Sequence, residues 1–305
     1  MSAALAALIA LLAPCQGAIL APLKDPLSIS MSLFEKGEHQ QVISILGPES
    51  LQKLRGDELR RAYFVLGNSY EKTGRIDKAL GIYQLGTNLF PRDINLLSEL
   101  ARLLQHAGLE EQAAPIYQKV LDIHPNNASA HLGLAEIDHS LGLLERSAGH
   151  YEKALEQLSA DPRRWRAYAE VLLEMREYKT AELAVQKALQ RSYDPQSLLV
   201  LAFIQRASGK LSAALATLAV TTDPQADRVR ALWLLEAGEH QKALAASEEL
   251  LKASPGNALA LWVRARARLR LGQAEAAAKD LQSLSQNTAA PFAAKVAAEF
   301  ARRLR

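Results

Sequence analysis

The chain has a single cysteine, Cys15, in 305 residues. That excludes an internal disulfide framework and any zinc or iron–sulfur centre built from several cysteines. Aromatic residues make up only 6%, while hydrophobic residues reach 49%, much of it alanine and leucine. With Glu, Gln, Lys and Arg these are good helix formers, so the balance favours an all-α protein over a sheet protein. A strong excess of one charge is also missing. The formal net charge of +3 is too small to argue for a nucleic-acid protein. It is unevenly spread: from Ala258 onward nine Lys or Arg face three Asp or Glu, leaving the rest at −3. Beyond the first 23 residues no stretch offers the roughly 18 uncharged apolar residues of a membrane span. No Gly-x-Ser-x-Gly, His-Glu-x-x-His or Cys–His arrangement is present. An enzyme is not expected.

The opening stretch "MSAALAALIALLAPCQGAILAPL" carries no charged side chain. Its apolar run ends at Pro14, and Cys15 and Gly17 are small residues at the −3 and −1 places of a cleavage site. This reads as a secretory signal, although no Lys or Arg precedes the run. "LAPC" also resembles a bacterial lipobox, with Pro14 departing from its pattern. Three readings stay open: a cleaved signal, a lipidated or uncleaved anchor giving membrane association, and an apolar leader on a cytosolic protein. Export, periplasmic or membrane-associated in a bacterium, is the expectation; a cytoplasmic location is the alternative.

What is present in quantity is repetition. Gly74 is followed by Gly108 and Gly142, each 34 residues on; Arg176 takes the next place, then Gly209, Gly238 and Gly272. Five residues after each stands a small one: Ala79, Ala113, Ser147, Ala181, Ala214, Ala243 and Ala277. Four further on come Tyr83, Tyr117, Tyr151, Val185, Leu218, Ser247 and Leu281. Self-similarity at this period marks a repeat architecture.

The stretch "LGNSY", with Leu66, Gly67 and Tyr70, followed by Ala79, Tyr83 and Pro91, resembles the tetratricopeptide repeat almost place for place. Trp165 occupies that family's early tryptophan position. The resemblance implies an all-α, right-handed superhelical solenoid of about eight helix-turn-helix repeats. They start near residues 23, 60, 94, 128, 162, 195, 224 and 258. The array runs over 23–290, after a leader over 1–22. The small residues then let two helices approach, the tyrosines fill the wedge beside them, and the glycines take the left-handed turn. The sixth repeat is about five residues short, which predicts a trimmed second helix. Over 291–305, Phe292, Val296 and Phe300 share one helical face, as a solubilising C-terminal cap helix requires.

In this family the first helix of each repeat lines a concave groove, and its second, fifth, ninth and twelfth residues point into it. Those places here include Arg61, Phe64, Asn68, Glu71, Arg102, Gln105, Leu132, Glu136, His139, Arg163, Arg166, Glu170, Phe203, Arg206, Arg228, Trp262 and Arg266. Phe64, Leu132, Phe203 and Trp262 among arginines look like anchors for a partner segment. Apolar members that pack on neighbouring helices instead are the competing reading. Phe64 stands where a carboxylate-clamp lysine would precede Asn68, so an acidic chaperone tail is not the expected ligand.

Other signals are weaker. "GIYQLGT" has phosphate-loop glycines, Gly81 and Gly86, without the lysine, and both fall inside a second helix. His106, His131 and His139, near Glu136 and Asp138, suggest a metal site, but solvated surface histidines are the preferred reading. In "WVRARARLR", Arg264 and Arg268 take places that are usually apolar, and their stems are expected to pack while their heads reach solvent. Asn127 opens a glycosylation sequon. The chain is therefore expected to need no cofactor and to be a non-catalytic scaffold or adapter that holds an extended or helical segment of another protein. With an exported leader it would help assemble a bacterial cell-envelope, secretion, pilus or polysaccharide complex. A cytosolic adapter or regulator is the runner-up, and an RNA-binding helical repeat is a third reading. No nucleic-acid partner is expected.

Overall fold

A computed structural model describes residues 25–286 of the chain. Among the described residues there are seventeen α-helices and no strand. The first compact unit, Met1–Pro125, contains α1 (Pro26–Glu35), α2 (His39–Ile45), α3 (Pro48–Lys53), α4 (Gly56–Lys72), α5 (Ile76–Leu89), α6 (Ile94–His106) and α7 (Glu110–Ile123). The second, Asn126–Arg305, contains α8 (Ala128–Ser140), α9 (Leu144–Leu155), α10 (Pro162–Glu174), α11 (Tyr178–Arg191) and α12 (Pro195–Ala207). It continues with α13 (Leu211–Val220), α14 (Pro224–Glu236), α15 (His240–Ala253), α16 (Ala258–Arg270) and α17 (Ala274–Ser285). The leader over 1–22 and the expected cap helix over 291–305 lie outside the described residues.

Apart from α3, the helices pair into eight hairpins. From α6 onward every first helix opens on an Asp or Asn: Asp93, Asn127, Asp161, Asp194, Asp223 and Asn257. Each side chain accepts a bond from a backbone N–H of the first turn, and such a cap contributes about 1 kcal/mol. The sequon residue Asn127 is thus occupied as a cap. Second helices have no side-chain cap; the tight turn before them sets their start. In those turns the repeated glycines hold φ between +71° and +84°, a region that costs residues with a Cβ about 1–2 kcal/mol. Arg176 adopts the same region, at φ +64°.

The small residue five places on is fully buried in every hairpin from Ala79 to Ala277. The following residue of the pattern, Tyr83 to Leu281, is also buried, at 3% exposure or less. Gly67 shows the tolerance of this contact. A Cβ placed there would lie 2.5 Å from Tyr83 Cε1. Gly86 likewise abuts Leu96 and Tyr63, so the two glycines of "GIYQLGT" sit inside α5, where Gly86 serves packing.

Two departures from regular repetition stand out. The short helix α3 is an extra element, and α4 begins at Gly56, upstream of Arg60. Gly47 and Pro48 open α3, where proline's missing N–H does no harm. Second, α13 has 10 residues where α11 and α15 have 14. Thr221 to Asp223 turn the chain early; the Thr221 hydroxyl donates to the Pro195 carbonyl at 3.2 Å, and Asp223 caps α14.

Within the first unit α4 packs directly on α6; within the second, α10 packs on α12 and α14 on α16. Consecutive second helices in the described residues make no contact of that extent. First helices therefore form the inner layer of each stack, and second helices the outer one.

Candidate functional site

The inner layer carries the sequence-predicted groove residues, and the structure separates them by role. In the first unit Arg61 is exposed and pairs with Asp57 on its own helix at 2.8 Å. Phe64 is half-buried and packs on the cluster of Val42, Leu46 and Leu66. Asn68 is half-buried one turn further along. Arg102 bridges α6 to α4, bonding Glu71 at 2.5 Å and Glu99 at 2.7 Å. Burial works against that guanidinium charge, but the two carboxylates outweigh it and hold its pKa up. Gln105 turns to its own hairpin, accepting from the Tyr117 hydroxyl at 3.0 Å.

In the second unit Leu132 packs beside the core of Trp165, Tyr168 and Val171, while Glu136 is exposed. His139 meets Glu174 of α10 at 3.0 Å. Arg163 is exposed and held by its neighbour Asp161 at 2.9 Å. Arg166 reaches Asp194, the cap of α12, at 3.1 Å and Glu170 at 3.8 Å. Burial pushes the Glu170 carboxyl up, against the pull of Arg166 and His139. Arg206 pairs with Glu236 of α14 at 2.8 Å. Ion pairs thus tie α4 to α6 in the first unit, and α8, α10, α12 and α14 in turn in the second. A guanidinium with a fixed carboxylate is worth little net stability at a surface, but it sets the side chain's direction.

Between these pairs stand the aromatic residues. Phe203 is 40% exposed, its ring edge-on to Trp233 of α14 at 5.3 Å between centroids. Trp233 is buried, so the Phe203 ring rests on a fixed support. Trp262 is half-buried, with the Arg266 guanidinium 5.6 Å from its ring centroid. Arg228 is exposed on α14.

Two readings are corrected by the structure. The histidines are not all solvated. His131 is 3% exposed, and its Nδ1 lies 2.8 Å from Nδ1 of His150, which the sequence did not bring to it. Asp138, also buried, is 3.8 Å from His150 Nε2 and 3.2 Å from Arg146. His139 points elsewhere, to Glu174, so the less favoured grouping of His131 with His139 does not form either. Among the described residues no group of three or more His, Cys, Asp or Glu could hold a metal ion. Nor are the heads of Arg264 and Arg268 free in solvent, although both side chains stay about one-fifth exposed. Both clamp Asp280, buried at 3%, with contacts of 2.6 and 2.8 Å, and Arg268 also meets Glu248 at 3.4 Å. A buried carboxylate needs its charge matched, and two guanidiniums satisfy both oxygens.

Asp138/His150, Gln205/Thr217 and Arg268/Asp280 occupy one repeated pair of places, each joining a first helix to its second. The intervening hairpins put Leu172/Ala184 and Leu234/Ala246 there. Laying the repeats in register and marking polar residues at apolar places would have found all three.

Models described as tetratricopeptide repeat match residues 61–93, 104–171 and 229–294, together more than half of the chain. No curated protein matches its sequence. Among solved structures, PilF of Pseudomonas aeruginosa is similar at a TM-score of 0.55 and 18% identity, over 68% of this chain and 98% of that one. A tetratricopeptide repeat protein of Parabacteroides merdae is similar at 0.53 and 17%, over 92% and 97%. The Cut9–Hcn1 hetero-tetramer of the APC/C is similar at 0.52 and 18%, over 82% of this chain but only 50% of the matched one. At such identities the likeness is one of fold.

Proposed function

The chain belongs to the tetratricopeptide repeat family, an interaction fold, and from that premise we propose that it is a non-catalytic scaffold holding a segment of another protein against its first helices. One observation carries the reading: Phe203 stands exposed on the inner layer while Trp233 buttresses it from the next first helix. A large apolar ring on a rigid base, rimmed by fixed charges, is the usual makeup of a binding hot spot. The neighbouring arginines favour protein over nucleic acid. Arg102, Arg166 and Arg206 are already matched by carboxylates, which leaves little free positive charge for a phosphate backbone.

We place the scaffold at the cell envelope of a bacterium, in the assembly of a secretion, pilus or polysaccharide complex. The uncharged opening of the sequence supports this location. Among the described residues no helix is long and apolar enough to cross a membrane. The test is affinity capture from the native cell, comparing the wild type with the combined Phe64→Ala, Phe203→Ala and Trp262→Ala variant. Partners lost only in the variant, with helical content retained, support the groove. Equal recovery by both baits overturns it. The N-terminal peptide recovered from the same bait reports whether the leader is removed.

A further inference from the structure

The outer layer holds a surface that the groove reading does not use. At the outward places of the second helices, α5 carries Asp77 and Lys78, α7 Glu111 and Lys119, and α9 Glu145 and Arg146. The pattern persists in α11 with Lys179 and Lys187, in α15 with Lys242 and Glu249, and in α17 with Glu275 and Lys279. Among the second helices from α5 onward, the trimmed helix α13 is the exception. Its sequence, LSAALATLAV, has no charged residue at all. Ser212, Ala216 and Ala219 are exposed, and Val220 is 60% exposed. Beside it, between α13 and α15, runs a trough of about 590 Å³ lined by Leu215, Leu234, Ala245 and Ala246, with Arg230 and Glu239 among its charged lining. An uncharged helix face beside a trough lined in part by leucine and alanine is costly to leave in water.

The charges on the rim say what fits it. On α15, Lys242 and Glu249 border the trough two turns apart, about 10 Å along the axis, and Ala245 and Ala246 lie midway between them. A two-fold axis through that midpoint sets a second α15 antiparallel to the first. Lys242 then faces the copy's Glu249, and Glu249 faces the copy's Lys242. One surface complements itself, as a two-fold interface requires. The local pairs Lys242–Glu239 and Lys252–Glu249, at 3.2 and 2.6 Å, are largely exposed and leave both heads able to reach across. The small side chains along both helices let the two backbones approach closely.

We propose that the chain self-associates as a two-fold dimer through the α13–α15 face, leaving the inner layer of the second unit free for its partner. Sedimentation velocity on the full chain, from about 1 to about 100 µM, tests this. The wild type should pass from monomer to dimer over that range. Ala216→Glu places a charge at an exposed site in the uncharged face, and should weaken dimerisation at least about tenfold with far-UV circular dichroism unchanged. Lys242→Glu alone should weaken it similarly by facing like charge, and the exchange Lys242→Glu with Glu249→Lys should restore it to within about threefold. A wild type that stays monomeric throughout overturns the proposal. So does a dimer indifferent to Ala216→Glu, which uses another face. A dimer that Ala216→Glu breaks but the charge exchange does not restore overturns the two-fold arrangement. None of these outcomes bears on the groove, whose capture experiment reads a different layer.

Discussion

Glycine serves two purposes in this repeat, and single substitutions separate them. Gly108 has φ +74° and nothing within 4 Å of where its Cβ would stand. Its role is backbone conformation alone, so Gly108→Ala should lower unfolding stability by about 1–2 kcal/mol. Gly67 has ordinary helical backbone, but an added Cβ would meet three ring atoms of Tyr83 at 2.5–2.9 Å. Tyr83 is fully buried and has nowhere to retreat, so Gly67→Ala should cost about 1–3 kcal/mol by overpacking. Urea denaturation of each variant gives the magnitudes, and a second-site change tells the causes apart. Tyr83→Phe leaves the clash with Gly67→Ala in place; Tyr83→Leu should relieve it and leave the loss at Gly108→Ala untouched. Arg176 is the converse case, bearing a side chain in the region its sister positions reserve for glycine.

At the scale of the hairpin, the α8–α9 pair carries the pH dependence. Burial lowers the His150 pKa first; His131 at 2.8 Å lowers it further, as do Lys153 and Arg146, while Asp138 pulls it up and loses. The folded chain therefore binds this proton less readily than the unfolded one. Stability is intact above the ordinary imidazole value near 6.5 and is lost as pH falls below it toward the depressed folded value. Denaturation midpoints measured between about pH 7.5 and pH 5.5 should fall, and His150→Gln should flatten that dependence. An unchanged slope in the variant would mean that the pair does not govern the loss. This hairpin also marks the limit of what the sequence discloses. Turn glycines and small residues could be read because they recur at a fixed interval and answer to local geometry, and the hairpins follow that register. The meeting of His131 with His150 could not, since it depends on how two helices rotate against each other. Phe203 is placed on the inner layer by the register alone, but its support by Trp233 comes from the next hairpin. The engagement of Arg166 with Asp194 and of Arg206 with Glu236 likewise depends on a neighbouring repeat. Helix α3 escaped because six residues are too few to show a period.

For the molecule as a whole, a stack of hairpins differs from a globular domain in how far a perturbation travels. The helix contacts recorded above join a hairpin to itself or to its neighbour, so stability is close to a sum of hairpin terms and nearest-neighbour terms. Such a chain need not unfold as one unit. The chain supplies its own reporters, since its three tryptophans are Trp165, Trp233 and Trp262, all within α10, α14 and α16. Fluorescence therefore follows those hairpins, while far-UV circular dichroism follows every helix. Ala79 is fully buried in α5, and Ala79→Leu forces a larger side chain into the contact between α4 and α5, at a cost of about 1–3 kcal/mol. In a urea titration the dichroism curve of Ala79→Leu should broaden toward lower urea, while the tryptophan midpoint moves by less than half as much. Ala181→Leu, beside Trp165 in the second unit, should move the tryptophan midpoint directly. Coincident shifts of both probes in the Ala79→Leu variant would mean that the array unfolds as one cooperative body and that the nearest-neighbour description fails. Separate shifts would mean that the face carrying Phe203 and Trp262 keeps its structure when the first unit is weakened, as a scaffold that holds a partner on one part of its length requires.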